Sequence, residues 1–170
     1  AGDGSPGPDA GPAHGWPGVA KDSVFRGHGM GRDLVEPDWP PLTSGEVSTI
    51  LARFGRPGSA ATIVRRSPRP MSAAALVSRD GVEVFVKRHH KLVRTAAQLS
   101  AEHALADHLR ALGVAVPAVL RLPGGGSVAV SGDYVYEVHA LAQGIDVYRD
   151  VLSWQPFLSA QHARAAGAAL

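Results

Sequence analysis

A chain of 170 residues, 45% of them apolar, is long enough for one ordinary domain with room for an appendage. It has no cysteine, which excludes disulfides and thiolate-bound metals and leaves the compartment open. A formal charge of +2 from scattered basic residues is too small to argue for nucleic acid. No apolar run is long enough to span a membrane and no signal-peptide pattern opens the chain, so a soluble, cytoplasmic protein is expected.

Residues 1–41 are crowded with glycine and proline and lack apolar periodicity. Such a stretch buries too little surface to offset its ordering entropy, so a disordered tail is expected. The chain does not begin with methionine, and Met30-Gly31-Arg32-Asp33-Leu34 reads as a natural start. The segment before Met30 is therefore expected to be vector, read-through or a misplaced start.

Thr43-Ser44-Gly45-Glu46 has capping-box spacing. Val47, Ile50, Leu51 and Phe54 then trace one helix face that Gly55 closes. Residues 61–66 and 73–78 read as strands, and Asp80-Gly81 is a hairpin signal leading to a third. That third strand, 82–87, alternates Val82, Val84 and Val86 with Glu83, Phe85 and Lys87. Lysine is scarce here, with only Lys21 and Lys91 besides, so Lys87 reads as a point charge wanted in one place. A strand-end lysine snorkelling to water would give the same pattern.

Residues 95–113 predict a helix, capped by Thr95 with Gln98 and ended by Gly113. Leu99, Leu105, Ala106, Leu109 and Leu112 mark its expected buried stripe, and Glu102 falls inside it. A carboxylate facing a core needs a cation, and Lys87 is the expected partner. Residues 114–122 form a short apolar segment, Gly124-Gly125-Gly126 a turn, and 128–131 and 134–140 a hairpin around Gly132-Asp133. Ser159 reads as the N-cap of an alanine-rich helix with no terminator, so the chain reads as cut at both ends. The fold class expected is α+β, with five mostly antiparallel strands and one long helix after the third.

These residues resemble the nucleotide-binding lobe of the aminoglycoside-phosphotransferase and choline-kinase-like family, over about residues 46–170. The likeness rests on Met71-Ser72, Val84-Phe85-Val86-Lys87 and Glu102 in its leucine-rich helix. Val116-Pro117-Ala118-Val119-Leu120, Tyr136-Glu137-Val138-His139 and Ala166-Gly167-Ala168-Ala169-Leu170 extend it. The resemblance implies a kinase-like amino-terminal lobe over 42–138, a hinge over 139–144 and the start of a helical carboxy-terminal lobe over 145–170. It implies ATP or GTP as cofactor, with Lys87 on the α- and β-phosphates and Glu102 orienting it. Phe85 would lie against the adenine and Ser72 near the β-phosphate, although a core aromatic and a turn serine are ordinary alternatives. The backbone of Ala140 and Ala142 would hydrogen-bond the adenine edge.

Two departures qualify the likeness. The loop before Met71 has Pro68-Arg69-Pro70 rather than a glycine-rich motif, and no His-Gly-Asp or Asp-Phe-Asp-like segment occurs. The base, the magnesium ligands and nearly all of the acceptor pocket are therefore expected outside this sequence, with magnesium bound only in their company. This chain alone is expected not to transfer phosphate.

Other constellations are weaker. His103 and His108 are five apart on a helix and His89 and His90 adjacent on a strand, poor spacings for shared ligation, so no metal site is expected. Asp146, Asp150 and His162 read as solvated or helix-start charges, Ser153 and Ser159 as caps, and Trp154 and Phe157 as packing after the hinge.

The leading expectation is the nucleotide-binding part of an ATP- or GTP-dependent phosphotransferase acting on a small hydroxyl-bearing molecule. A lone lobe of this kind is expected to expose apolar surface and self-associate. The alternatives are a non-catalytic nucleotide-binding or regulatory module, and an unrelated α+β interaction domain.

Overall fold

The computed structural model describes residues 27–28, 34–37, 39–69, 71–144 and 156–168. The start at Met30, most of the tail, and Asp146, Asp150, Ser153 and Trp154 lie outside the described residues. Within the segment read as a tail, β1 (Gly27–His28) pairs antiparallel with β2 (Leu34–Val35).

Helix α1 (Ser44–Arg53) begins at the capping box read from the sequence. Thr43 Oγ1 accepts from the Glu46 amide at 3.2 Å, and Glu46 Oε2 accepts from the Thr43 amide at 3.3 Å. Val47, Ile50, Leu51 and Phe54 are all buried, as their spacing predicts.

Five strands follow: β3 (Thr62–Arg66), β4 (Ala73–Arg79), β5 (Val82–His90), β6 (Ala129–Ser131) and β7 (Tyr134–Ala140). They form one antiparallel sheet in the order β3-β4-β5-β7-β6. The β4–β5 turn places Asp80 and Gly81 at φ of 50° and 78°, the left-handed pair that an Asp-Gly hairpin supplies at low cost. Where β6 ends, residues 118–120 continue the edge, with the Leu120 amide donating to Val138 and the Ala140 amide to Ala118, both at 2.8 Å.

The two faces of this sheet differ in chemistry. On one, Ala75, Val77, Val84, Val86, Tyr136 and Val138 meet α1 to make the hydrophobic core. Each fully buried aliphatic side chain there contributes about 1.5–3 kcal/mol. Two guanidiniums tie α1 to this face. Arg79 donates to the carbonyls of Arg56 and Ser48 at 2.6 and 3.2 Å, and Arg88 to Glu46 Oε1 at 2.8 Å and to the Pro40 carbonyl.

The opposite face carries Phe85, Lys87 and His89 on β5 beside His139, Glu137 and Val135 on β7. Helix α2 (Ala96–Ala111) brings its buried residues, Leu99 and His103, to it. The predicted capping box at Thr95 and Gln98 is present. The predicted stripe is present only in part, with Leu99 buried and Ala106 and Leu109 half-buried. Leu105 and Leu112 are exposed, and so is Glu102. Positions three and four after Leu99 straddle the same helix face, and the structure turns the fourth inward. Helix α3 (Ala160–Ala168) starts where Ser159 Oγ accepts from the His162 amide at 3.1 Å and buries none of its residues. Among the described residues no helix is long and apolar enough to cross a membrane.

Candidate functional site

The polar face of the sheet is organised around Glu137. Antiparallel register makes Lys87 and Glu137 direct cross-strand neighbours, so their side chains leave the sheet side by side. Lys87 Nζ lies 3.3 Å from Glu137 Oε1, with 34% of the lysine side chain exposed against 4% of the glutamate. His89, two residues along β5, places Nε2 3.1 Å from the same oxygen. Glu137 Oε2 receives His103 Nε2 from α2 at 2.6 Å, and His139 Nε2 comes within 2.9 Å. At that distance His139 Nε2 makes no well-aligned hydrogen bond. On its far side, His103 Nδ1 is 2.8 Å from Ser127 Oγ.

Burial alone would push the Glu137 carboxyl up. The facing imidazoles of His103, His139 and His89 and the Lys87 charge outweigh it and hold the group far below the usual carboxylate range. Glu137 is therefore an anion in a dry setting, stabilised by donors from β5 and α2, with the His139 imidazole of β7 close beside it. One ammonium neutralises it formally, and each imidazole can donate while uncharged.

The structure corrects the expected partner of Lys87. Glu102 does not reach it. That carboxylate is 52% exposed and pairs with Arg94, itself 41% exposed. Helical phase decides the difference, because α2 turns His103 rather than Glu102 toward the sheet, and β7 already supplies a carboxylate beside Lys87.

The remaining predicted residues are arranged as follows. Phe85 is half-buried two residues before Lys87 on the same face, opposite Leu76 on β4 and His139 on β7. Ser72 is half-buried in the turn into β4, two residues ahead of Ala74, the β4 neighbour of Lys87. Ala140 ends β7, its amide already committed to Ala118, and Ala142 is exposed just beyond.

Glu137, His89, His103, His139 and Ser127 carried no role in the sequence reading. A signal for the first was present. In Tyr134-Val135-Tyr136-Glu137-Val138-His139-Ala140, a carboxylate interrupts an apolar strand flanked by strand signals on both sides. Judging histidines by local spacing failed because His89, His103 and His139 come from three different elements and meet only through the fold.

Comparison with known proteins adds two findings. The family model described as the phosphotransferase enzyme family matches residues 71–170. A solved spectinomycin phosphotransferase, APH(9)-Ia, in complex with ADP and spectinomycin, is similar at 9% identity and a TM-score of 0.48. The similarity covers 67% of this chain and 34% of that one, so the chain spans about a third of that protein. No curated protein matches the chain.

Proposed function

The chain belongs to the phosphotransferase enzyme family, and from that premise we propose that it is the nucleotide-binding part of an ATP- or GTP-dependent phosphotransferase acting on a small hydroxyl-bearing molecule. The observation that carries this reading is the state of Lys87. Its ammonium is held by a buried carboxylate, yet a third of its side chain remains open to solvent. A cation so placed is restrained in position and still has donors to offer an arriving anion. Phosphate needs a point charge there rather than a planar fork, which suits lysine.

In this proposal Lys87 receives the α- and β-phosphates, and Glu137, in place of Glu102, sets its direction. Phe85 offers an apolar ring two residues away for the base, with Ser72 beside the phosphates. The Ala140 carbonyl and the Ala142 amide meet the adenine edge. The nucleotide supplies the transferable phosphoryl group. The proposal assigns these residues binding and orientation alone, since no catalytic-loop or magnesium-ligand motif occurs in the sequence. The acceptor belongs to residues of another lobe. The exposed Leu105, Leu112 and Leu141 are proposed as apolar surface through which an isolated lobe associates with itself.

Titration of the folded chain with ATP and with GTP, each with magnesium, tests the reading beside a Lys87→Ala variant. Saturable binding, weakened on the order of tenfold or more by the substitution, is expected from losing a charge-assisted contact. A well-folded chain that binds neither nucleotide, or binds equally without Lys87, overturns it.

A further inference from the structure

The cluster around Glu137 has a second capability, distinct from steadying Lys87. Glu137 Oε2, His103 Nε2 and His139 Nε2 lie within 4.8 Å of one another, and each can act as a metal ligand. The geometry points to a divalent-metal site, with Zn2+ its best occupant, that clamps α2 onto the β5–β7 face.

Three features argue for it. The first is spacing. Zinc bonds of about 2.0–2.2 Å to nitrogen and oxygen place tetrahedral ligands roughly 3.3 Å apart. The observed 2.6 and 2.9 Å from Oε2 to the two imidazoles need only a small outward movement to admit an ion. The second is the state of one nitrogen. His139 Nε2 is buried 2.9 Å from Glu137 Oε2 without a well-aligned hydrogen bond, so its lone pair can turn to an ion placed between them. The third is support behind a ligand. Ser127 Oγ stands 2.8 Å from His103 Nδ1 and can accept a hydrogen bond from Nδ1–H, the tautomer that leaves the Nε2 lone pair aimed inward. An outer partner on the second nitrogen is how metal-binding histidines are held in the right tautomer.

The donor set of two imidazoles and a carboxylate suits a borderline divalent ion and disfavours magnesium or calcium, which take oxygen. The carboxylate serves two cations through separate oxygens, Oε2 for the metal and Oε1 for Lys87 and His89. Water completes the coordination. The ion would join β7 to a helix whose buried anchors are Leu99 and His103. Metal binding should therefore stabilise the docking of α2 independently of any nucleotide.

The test is a Zn2+ titration of the full 170-residue chain against a chromophoric chelator, without nucleotide, followed by thermal melts with and without the ion. His139→Ala is the diagnostic variant, because that residue sits at the rim of the cluster. His108→Ala, exposed on α2, is the control. One tightly bound equivalent that raises the melting temperature, weakened at least tenfold by His139→Ala and untouched by His108→Ala, is expected. Absence of saturable binding, or binding unaffected by His139→Ala, overturns the site. Should His139→Ala not fold, the wild-type chain decides with Co2+. Intense visible bands of a tetrahedral nitrogen and oxygen site that Zn2+ displaces support it, and weak octahedral bands refute it.

Discussion

Replacing Glu137 with alanine removes the carboxylate that collects His89, His103, His139 and Lys87. The side chain is 4% exposed, so water cannot take its place. Breaking a buried charge cluster from one side costs about 3–5 kcal/mol. Against a total stability of about 5–15 kcal/mol for a domain, that is a large share. Glu137→Gln keeps the volume and one acceptor oxygen while losing the charge, and its expected cost is about 1.5–3 kcal/mol. Glu102→Ala, at a solvent-exposed pair with Arg94, is expected to cost no more than about 1 kcal/mol. Urea unfolding followed by tryptophan fluorescence and far-ultraviolet circular dichroism measures all three. With a slope of about 1–3 kcal/mol per molar urea, Glu137→Ala should lower the midpoint by on the order of 2 M. Equal losses for Glu102→Ala and Glu137→Gln would refute the assignment of Glu137 as the buried counter-ion. So would a Glu137→Gln midpoint within about 0.3 M of the parent.

Other consequences can be measured on the same chain. Burial, together with donation to Glu46 Oε1 at 2.8 Å, pushes the Tyr136 phenol well above its ordinary value near 10. Folding therefore favours the neutral phenol, and this stabilisation is complete below about pH 10 and lost as pH rises beyond it. While the chain stays folded, alkaline titration by ultraviolet absorbance should be the same for the parent and Tyr136→Phe. A variant whose tyrosinate signal falls by one residue's share would contradict this. Thr95→Ala removes the acceptor for the Gln98 amide and should cost about 1 kcal/mol in urea melts. A loss that small should leave the Zn2+ affinity within a few-fold, and a collapse of metal binding would mean that the start of α2 governs the site.

Local chemistry carried much of this fold into view from the sequence. Thr43 with Glu46 and Thr95 with Gln98 mark helix starts because a side-chain oxygen three residues before an orphan amide is itself the capping geometry. Asp80-Gly81 announces its hairpin because few residue pairs adopt two successive positive φ values. Alternation along β5 separates Val84 and Val86 from Phe85 and Lys87, and the structure keeps that division.

The partner of Lys87 was beyond such reasoning. Helical periodicity places both Glu102 and His103 near the face of Leu99, and the choice between them depends on what waits across the gap. What waits is Glu137, fifty residues after Lys87 in the chain and adjacent to it only because β7 inserts between β5 and β6. The same pairing draws His89, His103 and His139 from a strand, a helix and a second strand onto one carboxylate. By itself, then, the sequence determined the main helices and strands, the two capped helix starts and the apolar face of β5, since those follow from neighbours within a few residues. It did not foresee that β5 runs on to His90 or that β1 pairs with β2. Tertiary structure alone decided which buried charge meets which cation, because electrostatic partnership depends on distance through space, and sheet order sets that distance.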